Sequence, residues 1–211
     1  MFDTEEQLIQ RLLDQFKNKL AFTEVECGYG RADLVIIKNK KAFNDFCKSR
    51  NGLFLQSNDE IKIFTYLRRK RKGATFSEIL NNHYISEATL KYKILRNLIN
   101  ANAIFNDGYT YYRNKDFTLF NSDVTAIEGK LSNWQTALEQ AIRYQKFARK
   151  SYVALDQEFI HRATIEEFKH YNIGLISVGS KVKEVLSPKE TPPSDPTMRY
   201  RVAEYLLQNK I

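Results

Sequence analysis

The chain is predicted to fold as an α/β protein: a mixed sheet flanked by helices, interrupted by a smaller basic domain. Two observations predict this. Apolar runs of strand length alternate with helical periodicities in both terminal portions, which implies crossover connections and at least partly parallel pairing. Between about Asn58 and Asp116 the pattern changes to three helices and an aromatic hairpin. The 211 residues suffice for one large domain or two small ones, and 43% apolar and 13% aromatic content supports a real core.

Thr4, with Gln7 three residues on, caps a first helix in which Leu8, Ile9, Leu12, Leu13, Phe16 and Leu20 fall at helical spacing. Phe22 to Cys27 reads as a strand, Gly28-Tyr29-Gly30 as a turn, and Arg31 to Ile37 as a second strand. A polar turn follows at Lys38 to Lys41, then a short helix over Ala42 to Cys47. After the interruption come a strand (Val124 to Lys130), a long helix (Trp134 to Lys150) and a strand (Tyr152 to Leu155). A helix containing Ile165 to His170 and a strand over Ile173 to Val178 complete this half. The segment 191–196, Thr-Pro-Pro-Ser-Asp-Pro, reads as a rigid linker to a final helix, Met198 to Asn209.

The interruption reads as helices over Glu60–Lys70, Thr75–Asn81 and Glu87–Asn100. Asn106-Asp107-Gly108, between aromatic strands, is a hairpin signal. Three helices followed by a hairpin is the order of a winged helix-turn-helix. Ser86 would cap its third helix, and Leu90, Ile94, Leu95 and Leu98 would be that helix's buried stripe. The expected organisation is a discontinuous core, 1–57 and 117–190, with 58–116 inserted and 191–211 as linker and terminal helix.

The net charge is +8, from 33 basic and 25 acidic residues, and the insert carries 11 basic against 6 acidic. Such a surface suits an anionic partner, nucleic acid above all. Arg68, Arg69, Lys70, Arg71 and Lys72 form a run suited to phosphates, although cations also favour a helix C-terminus for its dipole alone. Lys91, Lys93 and Arg96, with Tyr92, lie on the helix that such domains place in the major groove. Tyr109, Tyr111 and Tyr112 on the wing either reach DNA or pack on the domain. No run of 18 apolar residues exists and the N-terminus is acidic, so a cytoplasmic protein with no membrane span is expected. Cys27 and Cys47 form no CxxC pair, and His83, His161 and His170 have no metal spacing. No Walker loop, nucleophile elbow or dinucleotide fingerprint is present.

The chemistry-bearing pattern is Asp33 on the second strand and Glu128-Gly129-Lys130 on the strand after the insert. Residues i and i+2 share a strand face, so Glu128 and Lys130 project together. If the two strands are neighbours, Asp33 and Glu128 can hold Mg²⁺, with Mn²⁺ as an alternative, and Lys130 can act on a water. The bland reading is an ion pair at a sheet edge. Gln140 and Tyr144, four apart, share a face of the following helix.

The ordered set, Asp33, Glu128-x-Lys130, then Gln140-x-x-x-Tyr144 on a helix and a strand at 151–155, resembles the PD-(D/E)XK, or restriction-endonuclease-like, nuclease superfamily. It looks most like the Holliday-junction-resolvase and RecB-type branches, over about residues 4–38 and 122–180. The resemblance implies Asp33 and Glu128 as metal ligands, Lys130 as catalytic lysine, and Gln140 and Tyr144 as supporting groups near the scissile phosphate. Glu5 or Glu6 would match an extra acidic ligand; Glu6, beside Ile9 and Leu13, is placed nearer the core face. Two departures stand out: Gly at 129 instead of an apolar residue, and 95 positions between Asp33 and Glu128, filled mostly by the insert.

The function expected is Mg²⁺-dependent hydrolysis of DNA phosphodiesters, most simply as an endonuclease, with the winged helix positioning duplex DNA. A homodimer is expected by analogy alone. A non-catalytic DNA-binding regulator on the same fold is the alternative. A third reading is an assembly module whose terminal helix, with Val202, Tyr205 and Leu206 on one face, docks a partner protein.

Overall fold

The computed structural model describes residues 1–28, 30–120 and 123–210, so Tyr29 of the expected Gly28–Gly30 turn lies outside the described residues. The chain divides into two compact units, Met1–Phe43 with Asn121–Val202, and Asn44–Phe120 with Ala203–Ile211.

The first unit is built on a six-stranded mixed sheet, as its alternation of strand and helix patterns predicts. In chain order it contains α1 (Glu5–Gln15), β1 (Leu20–Glu26) and β2 (Arg31–Ile37), followed by α2 (Lys40–Arg50), whose later residues belong to the second unit. The first unit resumes with β6 (Val124–Lys130), α7 (Trp134–Tyr144), β7 (Lys150–Asp156), α8 (Ile165–His170), β8 (Gly174–Val178) and β9 (Val182–Leu186), then the start of α9 (Pro196–Gln208), whose residues from Ala203 on belong to the second unit. The strand order is β1-β2-β6-β7-β8-β9. β6, β7 and β8 are parallel, and the remaining pairs are antiparallel.

Alternation along each strand sends side chains to both faces, and helices pack on each. On one face Leu8 and Leu12 of α1 pack against Leu34, Ile36, Ile127 and Ala154. On the other, Trp134, Ala137 and Ala141 of α7 and Phe168 of α8 pack against Val153, Leu155 and Leu175. Thr4 caps α1 by accepting from the Gln7 amide at 3.2 Å, while Gln7 accepts from the Asp3 amide at 3.0 Å.

The structure differs from the sequence reading at several points. Leu20, expected on the first helix, opens β1, because α1 ends at Gln15; the second helix runs over Lys40–Arg50 and the last one starts at Pro196. α7 stops at Tyr144, six residues short of the expected end, because the chain turns at Gln145–Phe147 and Arg149 donates its amide to Val124 to open β7. β9 has no sequence counterpart above; it is an edge strand, mostly exposed and bulged against β8, so it lacks a clean apolar alternation. The proline-rich segment is hydrogen-bonded to the first unit: the Thr191, Ser194 and Asp195 amides donate to Arg149, Gln145 and Lys146. No helix among the described residues is long and apolar enough to cross a membrane.

The second unit contains α3 (Asn58–Arg69), β3 (Ala74–Thr75), α4 (Phe76–Asn81) and a helix from α5 (Glu87–Thr89) through a π-helical stretch (Leu90–Leu95) to α6 (Arg96–Asn100). β4 (Ile104–Asn106) and β5 (Thr110–Arg113) form the hairpin, and β3 joins them in the order β3-β5-β4. Thr75 and Glu78 form a full capping box, and Ser86 caps α5. Arg50 and Glu204 form a buried bidentate pair at 2.7 and 2.6 Å. Glu204 also accepts from the Leu55 amide, and Arg50 donates to the Leu53 and Thr118 carbonyls.

Gly129 has a packing reason. A Cβ there would lie 2.6 Å from Ile9 Cδ1 and 3.3 Å from Leu8 Cδ2, so its absence lets α1 lie directly on β6. Gly129→Val is expected to cost roughly 1–3 kcal/mol by overpacking. Adding Ile9→Ala should recover part of that loss in a denaturation double-mutant cycle; strictly additive costs would show that the two positions do not press on each other.

Candidate functional site

β2 and β6 pair antiparallel with Leu34 opposite Ile127, so one residue further along Asp33 stands opposite Glu128. Both belong to the face away from α1. The Asp33 carboxylate accepts the Gly129 amide at 2.7 Å, which holds the two strands together at the end of their ladder. Glu128 is 1% exposed, and Asp33 is half-buried. Two carboxylates are therefore brought together where water is scarce.

Lys130 is the cation set against them. Its ammonium lies 3.3 Å from Glu128 Oε1 and 2.9 Å from Glu5 Oε2. Glu5 reaches Lys130 from the first turn of α1. Glu6 is exposed on the same turn, and it is Glu5, not Glu6, that the structure brings to the lysine. The helical-face argument for Glu6 does not apply in this turn, where residues 5 to 7 are all exposed.

Tyr144, buried on α7, points its hydroxyl between the Arg31 carbonyl, at 2.8 Å, and Glu128 Oε2. A phenol has one proton, so donation to the carbonyl leaves its oxygen to accept from a protonated Glu128, whereas donation to Glu128 suits the carboxylate. Gln140, one turn earlier on α7, is half-buried. Asp33, Glu128, Lys130 and Tyr144 are thus brought together; Gln140 shares their helix without a hydrogen bond to them.

Two further acidic residues join the site: Glu5, which the sequence leaves as an alternative to Glu6, and Glu24, for which it carries no signal. The β1–β2 register sets Glu24 opposite Asp33, between the pairs Thr23–Leu34 and Val25–Ala32. Glu24 has φ +53°, a left-handed backbone uncommon for a residue with a side chain and costing on the order of 1 kcal/mol. Its carboxylate turns to Arg31 at 3.2 Å. A strand of alternating residues gives no sequence signal for such a kink.

The electrostatics follow from this crowding. Burial, then the charge of Asp33, pushes the Glu128 carboxyl up to about 7, against the lowering effect of Tyr144 and Lys130. Burial also raises Asp33, partly offset by the Gly129 amide and Lys130. Burial alone would lower the Lys130 ammonium, but Glu5, Glu128 and Asp33 outweigh it and raise it. Lys130 is therefore a protonated donor at neutral pH. Burial and Glu128 hold the Tyr144 phenol well above its ordinary value, so it stays an O–H. Among the described residues, no three His, Cys, Asp or Glu side chains converge as a metal-binding group.

On the second unit the basic run is exposed throughout: Arg68 and Arg69 end α3, Lys70 caps it, and Arg71 and Lys72 lie in the turn. Lys91, Lys93 and Arg96 are exposed on the helix spanning 87–100, whose Leu90, Ile94, Leu95 and Leu98 point inward. Tyr92 and Tyr109 are exposed, whereas Tyr112 stacks on Phe105 and donates to Asp107.

No family model matches the chain, and no curated protein matches it. A solved structure of a protein of unknown function from Silicibacter pomeroyi is similar over 100% of this chain and 89% of that one, at 10% identity and a TM-score of 0.47.

Because the folded state holds Glu128 protonated to higher pH than the unfolded chain, its contribution to stability is full below about 4.5 and is lost as pH rises through about 7. Glu128→Gln should therefore gain on the wild type between about pH 5 and pH 8, by roughly 2 kcal/mol in urea denaturation. A pH-independent difference would mean that Glu128 titrates normally.

Proposed function

We propose that the protein is a metal-dependent DNA nuclease, in which Asp33, Glu128 and Lys130 form the hydrolytic centre and the second unit is a winged helix-turn-helix that binds duplex DNA. The observation that carries this reading is the juxtaposition of Asp33 and Glu128 on adjacent strands, with the Lys130 ammonium 3.3 Å from Glu128. The order of these residues, which resembles the PD-(D/E)XK superfamily, supports it further.

The donor set fits Mg²⁺. Two neighbouring carboxylates supply hard oxygen donors, and Mg²⁺ takes few of these, leaving its other positions to water and phosphate. When bound, the ion would polarise a phosphate oxygen and offset the repulsion between the two carboxylates. The protein's own groups have distinct tasks. Lys130, kept protonated, would donate to the attacking water or a phosphate oxygen and stabilise charge developing there. Tyr144 fixes the orientation of Glu128, and the Gly129 amide fixes that of Asp33. Water would add to phosphorus in line as the bond to the leaving oxygen breaks.

In the second unit, Arg68–Lys72 would contact phosphates, and Lys91, Lys93 and Arg96 would lie along the groove. Replacing Arg69, Arg71 and Lys72 by Ala should reduce the slope of log K against log salt by roughly 2–3; an unchanged slope would place the DNA elsewhere.

The deciding assay is cleavage of supercoiled, linear and branched DNA with Mg²⁺ or Mn²⁺. Lys130→Ala and Asp33→Ala should each lose at least roughly a hundredfold in rate while retaining DNA binding. No cleavage of any substrate, with salt-sensitive duplex binding shared by all three proteins, would favour the non-catalytic regulator. That reading has its own observation: Lys130, Glu5, Glu128 and Tyr144 already satisfy one another.

A further inference from the structure

The sheet face that carries α1 is only partly covered by it. α1 ends at Gln15, and beyond its C-terminus a cavity of about 400 Å³ opens over the sheet. Its floor is largely apolar: Ile36, Ile127 and Ile176 come from β2, β6 and β8, with Tyr152 of the intervening β7, and Phe16 and Val182 stand at its sides. This lies on the opposite face of β6 from Glu128, because Ile127 and Glu128 alternate.

Its rim is charged. Lys19, Lys38 and Lys150 line the cavity, together with Glu184 and Glu190. Glu190 is shared: one of its oxygens lies 3.3 Å from the Lys38 ammonium and 3.9 Å from that of Lys150. Glu184 accepts the Tyr152 hydroxyl at 2.9 Å. Lys19 has no carboxylate partner among the described residues; its ammonium lies 5.3 Å from the Phe16 ring centroid. Lys19 and Lys38 flank the last pair of the β1–β2 ladder, Leu20 opposite Ile37, and share this rim. Glu190 offsets the Lys38 charge, so the uncompensated charge at this edge is that of Lys19. The cavity thus offers an apolar floor of ligand-pocket size with an excess of ammonium groups at one edge.

We propose that this cavity binds a small organic acid, a single carboxylate on an aliphatic or aromatic body. The body lies on Ile36, Ile127 and Ile176, and the carboxylate sits at the Lys19–Lys38 edge. The site is separate from the hydrolytic centre and does not depend on that assignment.

The experiment is calorimetric titration of the full chain with decanoate, naphthoate and decanol, with methyl NMR to locate binding. Saturable one-to-one binding of at least one acid is expected, with shifts at the Ile36, Ile127 and Ile176 methyls. Decanol should bind roughly tenfold more weakly than decanoate, and Lys19→Glu, an exposed change that should leave the circular dichroism unaltered, should weaken the acid by a similar factor. Absence of saturable binding by either acid would overturn the proposal. So would equal binding of decanoate and decanol, indifference to Lys19→Glu, or shifts confined to other methyls.

Discussion

The hydrogen bond from the Gly129 amide to the Asp33 carboxylate joins two strands across a sequence separation of 96 positions. The candidate site follows from that pairing. β2 and β6 form an antiparallel junction in a sheet whose next two pairs are parallel. It sets Asp33 opposite Glu128 and leaves Lys130, two residues on, as their counter-charge. A long insertion between the strands costs little in loop closure, since that entropy grows only logarithmically with length. The strand pairing, once made, fixes the geometry.

The arrangement holds charge under tension. Burial of Glu128, and then the charge of half-buried Asp33 beside it, outweigh the single ammonium, so Glu128 retains its proton to about 7. A sequence selected for stability alone would replace one carboxylate. Backbone strain at Glu24, opposite Asp33, is a second local cost in the same place. Perturbed carboxyls and strained backbone cluster at functional sites more often than elsewhere, and their coincidence is what sets this corner of the sheet apart from its apolar remainder.

Much of the fold was legible because it rests on local pattern. Leu8 and Leu12 repeat at helical spacing; Leu34 to Ile37 form a continuous apolar run, as a strand covered on both faces should. The two halves of the αβ rhythm are visible either side of the insert. What was not legible rests on tertiary context. α7 stops at Tyr144 because the Arg149 amide pairs with Val124, a partner 25 positions upstream. β9 is an edge strand with three exposed central residues, so its burial pattern carries no period. At the site, the order of Asp33, Glu128, Lys130 and Tyr144 is visible in the sequence, yet only the register shows them together. That Glu5, rather than Glu6, pairs with Lys130 depends on how α1 lies against β6, which no spacing rule encodes. The cavity beyond α1 depends on where that helix ends relative to five strands, and the sequence shows only the helix.

The proposed hydrolytic centre requires Asp33 and Glu128 to act as one cation-binding pair. The direct test is Mn²⁺ titration of the full chain near neutral pH, followed by calorimetry and electron paramagnetic resonance, for the wild type, Asp33→Asn and Glu128→Gln. Saturable binding in the wild type that either substitution removes, with the fold intact by circular dichroism, is the expected result. Failure of the wild type to bind Mn²⁺, or binding that survives both substitutions, would contradict the assignment of this pair.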